Sequence, residues 1–481
     1  MTRKDDGKNT LIAMIFNVIA VIFQIIVSLV VTVCITRVIS TEDLGIATCF
    51  TTLKSILSIV CLLAINISIN RLLVDIKDNV YEFLSSVYLT SLLSCFVVYI
   101  IYLLFNSTFN KLFGFDFKMM SLMFSLVFLI DACTLMAAYW NYKNYYKFSF
   151  IYNILANPIG QILSLTFAYL LVSKKYLGRI IGIDFFNVLF GIGCGVYILY
   201  KGHFKINKKY IKDSLKISVP MIPHLIAQLL LTSCDLLMIK NICGASDAGV
   251  YSMAYTIAGL LYAVLVQFFN PWSPWVYRRL KENEIKAVYN NSKLMMLFCF
   301  YLCNVLICLA PDIIHLLLNN SYYPAISLVA PITIGIFFQV MYIFFFDVEY
   351  YYKKNKQIAF FSVITSILNI ILNYIFINKF GYHAAAYTTL ISYLILLLLH
   401  YFGMRRVENR KIYDIKLLAF LSFDLIVLLI ILIMLNNNII IRYITLLVLT
   451  IIIVMKNKNL IKTFIYNFLG GFKDDSKTCN R

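Results

Sequence analysis

Along the chain, apolar runs of membrane-crossing length alternate with short polar stretches rich in Lys and Arg. A helix that spans a bilayer needs about 20 apolar residues. Fourteen segments meet that pattern: 11–35, 45–69, 83–105, 118–139, 149–172, 180–200, 218–240, 249–270, 292–312, 327–349, 358–377, 383–403, 417–435 and 439–455. The last is short and begins near Arg442, so twelve is the alternative count. The first run is too long for a signal-peptide core, and no small-residue cleavage site follows it, which predicts a retained helix. The predicted fold class is therefore an all-α polytopic membrane protein.

The loops repeat. Asp43-Leu44-Gly45 opens the second segment, and Asp247-Ala248-Gly249 opens the eighth, 204 residues later. Tyr142-Lys143 and Tyr352-Lys353 follow the fourth and tenth, and Gly178 and Gly381 precede the sixth and twelfth, at offsets of 210 and 203. Three matches at nearly one offset predict a duplicated six-helix unit. An even helix number gives both copies the same orientation, related by an axis along the membrane normal. The expected organisation is a cytoplasmic tail 1–10, a first lobe 11–200, a basic cytoplasmic linker 201–217, a second lobe 218–403, helices 13 and 14 in 404–455, and a cytoplasmic tail 456–481.

Composition and charge sharpen this picture. Of 481 residues 61% are hydrophobic and 14% charged, against roughly half and a quarter in soluble domains. The net charge is +19, but the cations lie in short loops, where they set topology and meet anionic lipid rather than nucleic acid. With the N-terminus inside, inner loops and tails hold 31 of the 42 Lys and Arg and outer loops 7, which predicts cytoplasmic termini. The twelve cysteines are scattered without a CxxC pair, so neither metal nor disulfide is expected. Connecting segments are too short for a soluble catalytic domain, and no P-loop, HExxH or GxSxG pattern occurs. ATP hydrolysis within this chain is excluded, and no cofactor is expected.

Charge within apolar segments marks candidate chemistry, because it is costly in lipid and faces a polar cavity. Lys54 lies roughly 14 Å into the second helix at 1.5 Å per residue, among Thr51, Thr52, Ser55 and Ser58. It is a candidate ligand for an anionic head group, or the partner of a helix carboxylate such as Asp131. Asp131 is a candidate ion-coupling or charge-pairing group. Asp235 is another, with Lys240 five residues on as the expected partner. His224 follows Pro220 and Pro223, which mark a bending point, and its imidazole is a candidate phosphate ligand. Arg278 and Arg279 after NPWSPWVY are a candidate lipid-phosphate site or a headgroup anchor. Asp347 and Glu349 beside Lys353 and Lys354 suggest a solvated cluster. The Tyr-rich stretches 139–152 and 350–352 suggest interfacial belts.

The sequence resembles the polysaccharide, or lipid-linked oligosaccharide, flippases of the multidrug/oligosaccharidyl-lipid/polysaccharide exporter superfamily. The resemblance rests on Arg37-Val-Ile-Ser-Thr-Glu42-Asp43-Leu-Gly45, Ile69-Asn70-Arg71, Val219-Pro220-Met-Ile-Pro223-His224, Asp235 and Asp247-Ala-Gly249-Val-Tyr251, within residues 11–403. It implies two six-helix lobes facing a cavity in the inner membrane of a bacterium. It further implies that an undecaprenyl-diphosphate-linked oligosaccharide is flipped by alternating access, for O-antigen, capsule or other surface polysaccharide. The expected partners are that lipid-linked sugar, membrane lipids, a polysaccharide polymerase and a chain-length regulator. The implied protein is a transporter, not an enzyme. A diphosphate in a low-dielectric cavity needs a nearby cation. Lys54 meets that need, and its repeat equivalent, Ala258, does not, so a one-sided cavity is expected. A cation-coupled multidrug exporter of the same superfamily would use Asp131 and Asp235 instead. A membrane scaffold or acyltransferase is the reading from another class, although His315, His383 and His400 lack the polar neighbours that acyl transfer needs.

Overall fold

The structure of this chain is a computed structural model and describes residues 23–451, except 25, 77–78, 144, 172–173 and 435–437. Among the described residues the ordered elements are all helical: α1 (Ile26–Val38), α2 (Thr41–Cys61), α3 (Ile65–Asp75), α4 (Val80–Leu104), α5 (Asn106–Phe113), α6 (Phe117–Tyr142), α7 (Tyr146–Ile154), α8 (Gly160–Leu170), α9 (Lys175–Gly202), α10 (Lys208–Ser218), α11 (Ile222–Ile242), α12 (Ala245–Lys281), α13 (Ile285–Leu317), α14 (Ile326–Tyr351), α15 (Asn355–Phe380), α16 (His383–Val407), α17 (Ile415–Met434) and α18 (Ile439–Ile451). Eleven of the helices among the described residues are long and apolar enough to cross a membrane, as expected where every backbone group must be satisfied within its own segment. The first predicted segment is described only from residue 23, with residue 25 left out, and the last coincides with α18 as far as Ile451.

Three predicted spans are not single α-helices, and the seventh opens on the 3-10 turn Val219–Met221 before α11. The second breaks after Cys61, where Leu63 (φ 51°) and Ala64 (φ 50°) take the left-handed conformation before α3 begins. The fifth is α7 and α8 joined by a π-helical turn, Leu155–Ile159, around Pro158. Proline has no N–H to donate and crowds the preceding turn, so the regular ladder cannot continue through it. Short helices α5 and α10 occupy stretches read as loops.

The chain divides into two compact units. The first runs to Ser252 and adds Leu318–Tyr322 and Ser366–Ala385. The second comprises Met253–Leu317, Tyr323–Thr365 and the chain from Ala386. In the first, α3, α4, α6 and α9 enclose Ile69, Phe83, Val87, Leu135, Met136 and Ile198. In the second, the charge that made the last span doubtful is matched: buried Arg442 forks onto Asp312 of α13 at 2.8 and 2.9 Å and also reaches the Cys308 carbonyl. A bidentate pair of this kind is how a guanidinium is accommodated inside apolar helices.

The two Asp-x-Gly turns of the repeat meet within the first unit. Ser40 caps α2, its hydroxyl accepting from the Asp43 amide, so that turn is fixed locally. A Cβ on Gly45 would run into the Ala245 carbonyl, and one on Gly249 into the Thr41 carbonyl. Thr41 and Ala245 are themselves repeat equivalents, so the contact is reciprocal, and the Thr41 and Ser246 hydroxyls bond at 2.7 Å beside it. Small residues permit such backbone contact between membrane helices. The third repeat match has no shared role. Gly178 packs against the Phe167–Ala168 backbone, whereas Gly381 (φ 71°) makes the turn into α16.

Gly249→Ala is expected to lower the melting temperature in detergent, through an overpacking cost of about 1–3 kcal/mol. Gly259→Ala, whose Cβ meets nothing within 4 Å, is expected to be neutral or stabilising by up to ~1 kcal/mol. Equal behaviour of the two variants would mean that the reciprocal contact carries no constraint.

Candidate functional site

Lys54 sits two-thirds of the way along α2, and its ammonium donates to Asp184 of α9. The side chains are 15% and 5% exposed, so the pair is largely withdrawn from solvent yet not sealed. The carboxylate that Lys54 meets is thus Asp184, not Asp131. Asp184 was missed because it lies early in α9, in GRIIGIDFFN, beside two glycines and two cations that draw the eye to a helix end. An interior acid between Ile183 and Phe185 was the available signal. Two of the hydroxyls that gave the Lys54 face its polarity are satisfied locally, Thr51 by the Ala47 carbonyl at 2.8 Å and Ser55 by the Thr51 carbonyl at 3.0 Å. The charge on that face is the Lys54–Asp184 pair.

Asp131 of α6 is 1% exposed and accepts from the Ser91 hydroxyl of α4. Asp235 of α11 is 2% exposed and accepts from the Tyr251 hydroxyl and the Leu236 amide. Tyr251 belongs to the same motif as Gly249, so the motif supplies both the close approach and the ligand for the buried acid. The expected Asp235–Lys240 pair is corrected. Lys240 lies 3.2 Å over the Phe115 ring and donates to the Gly114 carbonyl at 2.6 Å, closing the C-terminal end of α5, where a cation is favoured.

Pro220 lies in the 3-10 turn Val219–Met221 that separates α10 from α11, and Pro223 lies in the first turn of α11, positions where a missing N–H costs little. His224 follows in that turn, and its side chain lies outside the described residues. Arg278 lies in the part of α12 that belongs to the second unit and is exposed. Its neighbour Arg279 pairs with Glu284 at 2.6 Å and Glu282 at 3.1 Å.

The second unit holds polar groups that sequence reading mistook for solvated ones. Asp347 is 1% exposed and accepts from Ser273 at 2.8 Å and Tyr277 at 2.9 Å, both on α12. Glu349 is fully buried, accepts from Gln357 at 2.7 Å and bonds the Nδ1 of His400 on α16. His400 therefore does have a polar partner. Gly403, one turn beyond it, leaves the space that Glu349 fills, since a Cβ there would strike the carboxylate. The lysines following in sequence, Lys353 and Lys354, suggested a surface cluster, but the helix turns its acids inward. Tyr352 and Arg410 hold Glu408 at 2.6 Å each, and the guanidinium keeps that carboxyl down at about 2.

Known proteins carry the same plan. A family model described as "Polysaccharide biosynthesis protein" matches residues 8–278. Among solved structures, "Lipid II flippase MurJ, inward closed conformation" aligns at a TM-score of 0.72 with 18% identity, over 93% of this chain and 100% of that one. An inward-facing multidrug resistance MATE family transporter of the MOP superfamily aligns at 0.56 with 13% identity, over 80% of this chain and 94% of the other. At these identities the likeness is one of fold. No curated protein matches the sequence.

The Lys54–Asp184 pair yields a stability prediction. Lys54→Ala strands a largely buried carboxylate, a loss that costs about 3–5 kcal/mol for a fully buried pair and somewhat less here. The double variant Lys54→Met, Asp184→Leu removes both charges and is expected to recover most of that loss in thermal unfolding. A double variant as unstable as Lys54→Ala would show that the two groups are not coupled.

Proposed function

The chain belongs to the polysaccharide biosynthesis protein family, and from that membership we propose that it flips an undecaprenyl-diphosphate-linked oligosaccharide repeat from the cytoplasmic to the outer leaflet of the bacterial cell membrane. The product feeds a surface polysaccharide of the O-antigen or capsule kind. It acts as a transporter and not as an enzyme, with both termini in the cytoplasm. The observation that carries this reading is the Lys54–Asp184 pair, a cation held in the helical interior by one carboxylate and still partly accessible.

A diphosphate leaving water loses a large solvation energy and needs an opposite charge at the place it passes. Lys54 supplies one. With no substrate the ammonium rests on Asp184, which spares the protein an unpaired buried charge. When a diphosphate arrives, the ammonium exchanges one anion for another by a side-chain movement. Exchange of partners serves transport better than a fixed cluster, because the substrate must leave as readily as it binds. The isoprenoid tail stays in hydrocarbon throughout and adds nothing to the barrier. Rocking of the two repeats against each other then presents the site to either side. The polysaccharide polymerase and chain-length regulator are the expected downstream partners.

A second reading is a cation-coupled multidrug exporter. It is favoured by the carboxylates Asp131, Asp184 and Asp235, all withdrawn from solvent, which suit an organic cation, and by the MATE-like fold. Deleting the protein separates the two. The flippase reading expects lipid-linked repeats to accumulate on the cytoplasmic side and surface polysaccharide to fall, with drug sensitivity unchanged. The reverse pattern would establish the exporter. In complementation, Lys54→Ala is expected to abolish export and Lys54→Arg to retain part of it. The stabilised Lys54→Met, Asp184→Leu protein should fold and remain inactive. Export by that variant would remove Lys54 from the substrate's path.

A further inference from the structure

Pro158 does more than interrupt a helix. Beyond the π turn, α8 and α9 are in backbone contact along their length. A Cβ on Gly160 would meet the Ile183 carbonyl at 2.9 Å, and Cβ atoms on Gly182 and Gly178 would strike the backbones of Ser164 and Phe167. On the other side of the π turn α7 and α9 meet through the Tyr152 side chain, which donates to Asn187 at 3.1 Å, and beside that contact a cavity of about 620 Å³ opens, with the ends of α4 and α6 as its floor. Its walls are almost wholly apolar and aromatic, from Tyr81, Trp140, Phe148, Leu155, Phe190 and Tyr197 among others. Phe148, Ile151 and Leu189 are about half exposed, so the cavity opens at the surface as a groove.

Gly193 shows that the space is built in. It lies inside α9 and lines the groove, and a Cβ there would meet nothing within 4 Å. Its neighbours on the same helix, Gly182, Gly191 and Gly195, are each pressed against another element. A glycine inside a helix is destabilising relative to alanine, and here it gives room and no packing.

The volume falls within the range of small-molecule sites, roughly 300–1,000 Å³. An apolar cavity of this kind does not hold water, and its surroundings are hydrocarbon. Charge identifies which hydrocarbon. One end of the groove is flanked by three exposed lysines. Lys201 lies one turn beyond Tyr197 on α9, Lys147 adjoins Phe148, and Lys143 lies one turn past Trp140. Positive charge in these stretches is what assigns that end to the cytoplasm. An apolar groove with a cationic mouth at the inner leaflet fits an isoprenoid chain ending in phosphate.

We propose that this groove between α7 and α9 seats the isoprenoid tail of the lipid-linked substrate at loading, with its phosphates against Lys143, Lys147 and Lys201. The identity of the occupant rests on the flippase reading above. Gly193 and Asp184 are nine residues apart on α9, two and a half turns, and so lie on opposite faces. The groove and the Lys54 site are therefore successive stations for the substrate.

The test uses the full-length protein in lipid nanodiscs with a photoreactive polyprenyl phosphate, and maps the label by mass spectrometry. Label is expected on α7 and α9. Gly193→Phe, whose Cβ meets nothing within 4 Å and whose ring takes up groove space, is expected to cut it about tenfold, the equivalent of excluding roughly two methylenes from burial. Val196→Phe places the same ring at an exposed position off the groove and is expected to leave labelling unchanged. If Gly193→Phe loses its melting transition, Leu189→Trp fills the groove from its rim and is read in the same way. Undiminished label in the plugged protein, or displacement of the probe by excess diacyl phosphatidylglycerol, overturns the proposal. Labelling needs neither sugar nor transport. A groove that takes the probe in a protein whose deletion leaves polysaccharide intact would keep the site and discard the flippase reading, while failed labelling beside lost export would do the opposite.

Discussion

A charge carried into a membrane helix must be matched inside the protein, because lipid offers it nothing. In this chain that constraint organises the packing of whole helices. Lys54 brings α2 to α9, Asp131 brings α6 to α4, Glu349 brings α14 to α16, and Arg442 brings α18 to α13. Hydrophobicity cannot choose these pairings, since one apolar helix face in lipid is as good as another. Polar contacts give the bundle its register, and each engages a residue far along the chain. Lys54 and Asp312 keep some exposure within their pairs, whereas Asp131–Ser91 and Glu349–His400 are closed on both sides.

Small residues then decide how close the helices come. Gly45 and Gly249 let the two repeats touch backbone to backbone at equivalent points, and Gly178 and Gly182 join α8 to α9 in the same manner. Where glycine is pressed against another element it fixes distance, and where it is not, as at Gly193, it leaves room. One residue type thus makes both the tightest contacts and the apolar groove, and Pro158 separates the two regimes along one pair of helices.

Most of the helical plan was legible because it follows from the length of apolar runs. The all-helical class, the membrane character and the family all come from features that one sequence displays directly. What stayed hidden was partnership. Lys54 stood out as a lone cation in an apolar run, whereas Asp184 resembled a helix-end acid because Arg179 and Lys175 precede it. Asp347 and Glu349 looked solvated because lysines follow them within a few residues, and only the helix phase, which turns both inward, reveals their burial. Asp235 was assigned to the nearest cation in sequence, while its actual partner, Tyr251, lies across a turn. In each case the error came from seeking partners nearby, although helices pair with their neighbours in space. The breaks at Leu63 and Pro158 were missed for a related reason: hydropathy is blind to backbone conformation.

The two sides of α9 link the physics of the fold to the chemistry of an amphiphile. One face carries Asp184 and its ammonium partner. Phe186, Phe190, Gly193 and Tyr197 recur at helical spacing along another and line the groove. A lipid-linked sugar has the same division, a tail that costs nothing to keep in hydrocarbon and a head that is costly to bring in. Work has to be done only on the head. On the flippase reading a tail groove therefore cannot drive transport; its proposed part is to hold the molecule at the inner leaflet, turning capture of the head into an event within one complex. The gain is in effective concentration, and it requires that the tail station and the charge station be separate enough not to compete. Opposite faces of one helix meet that requirement.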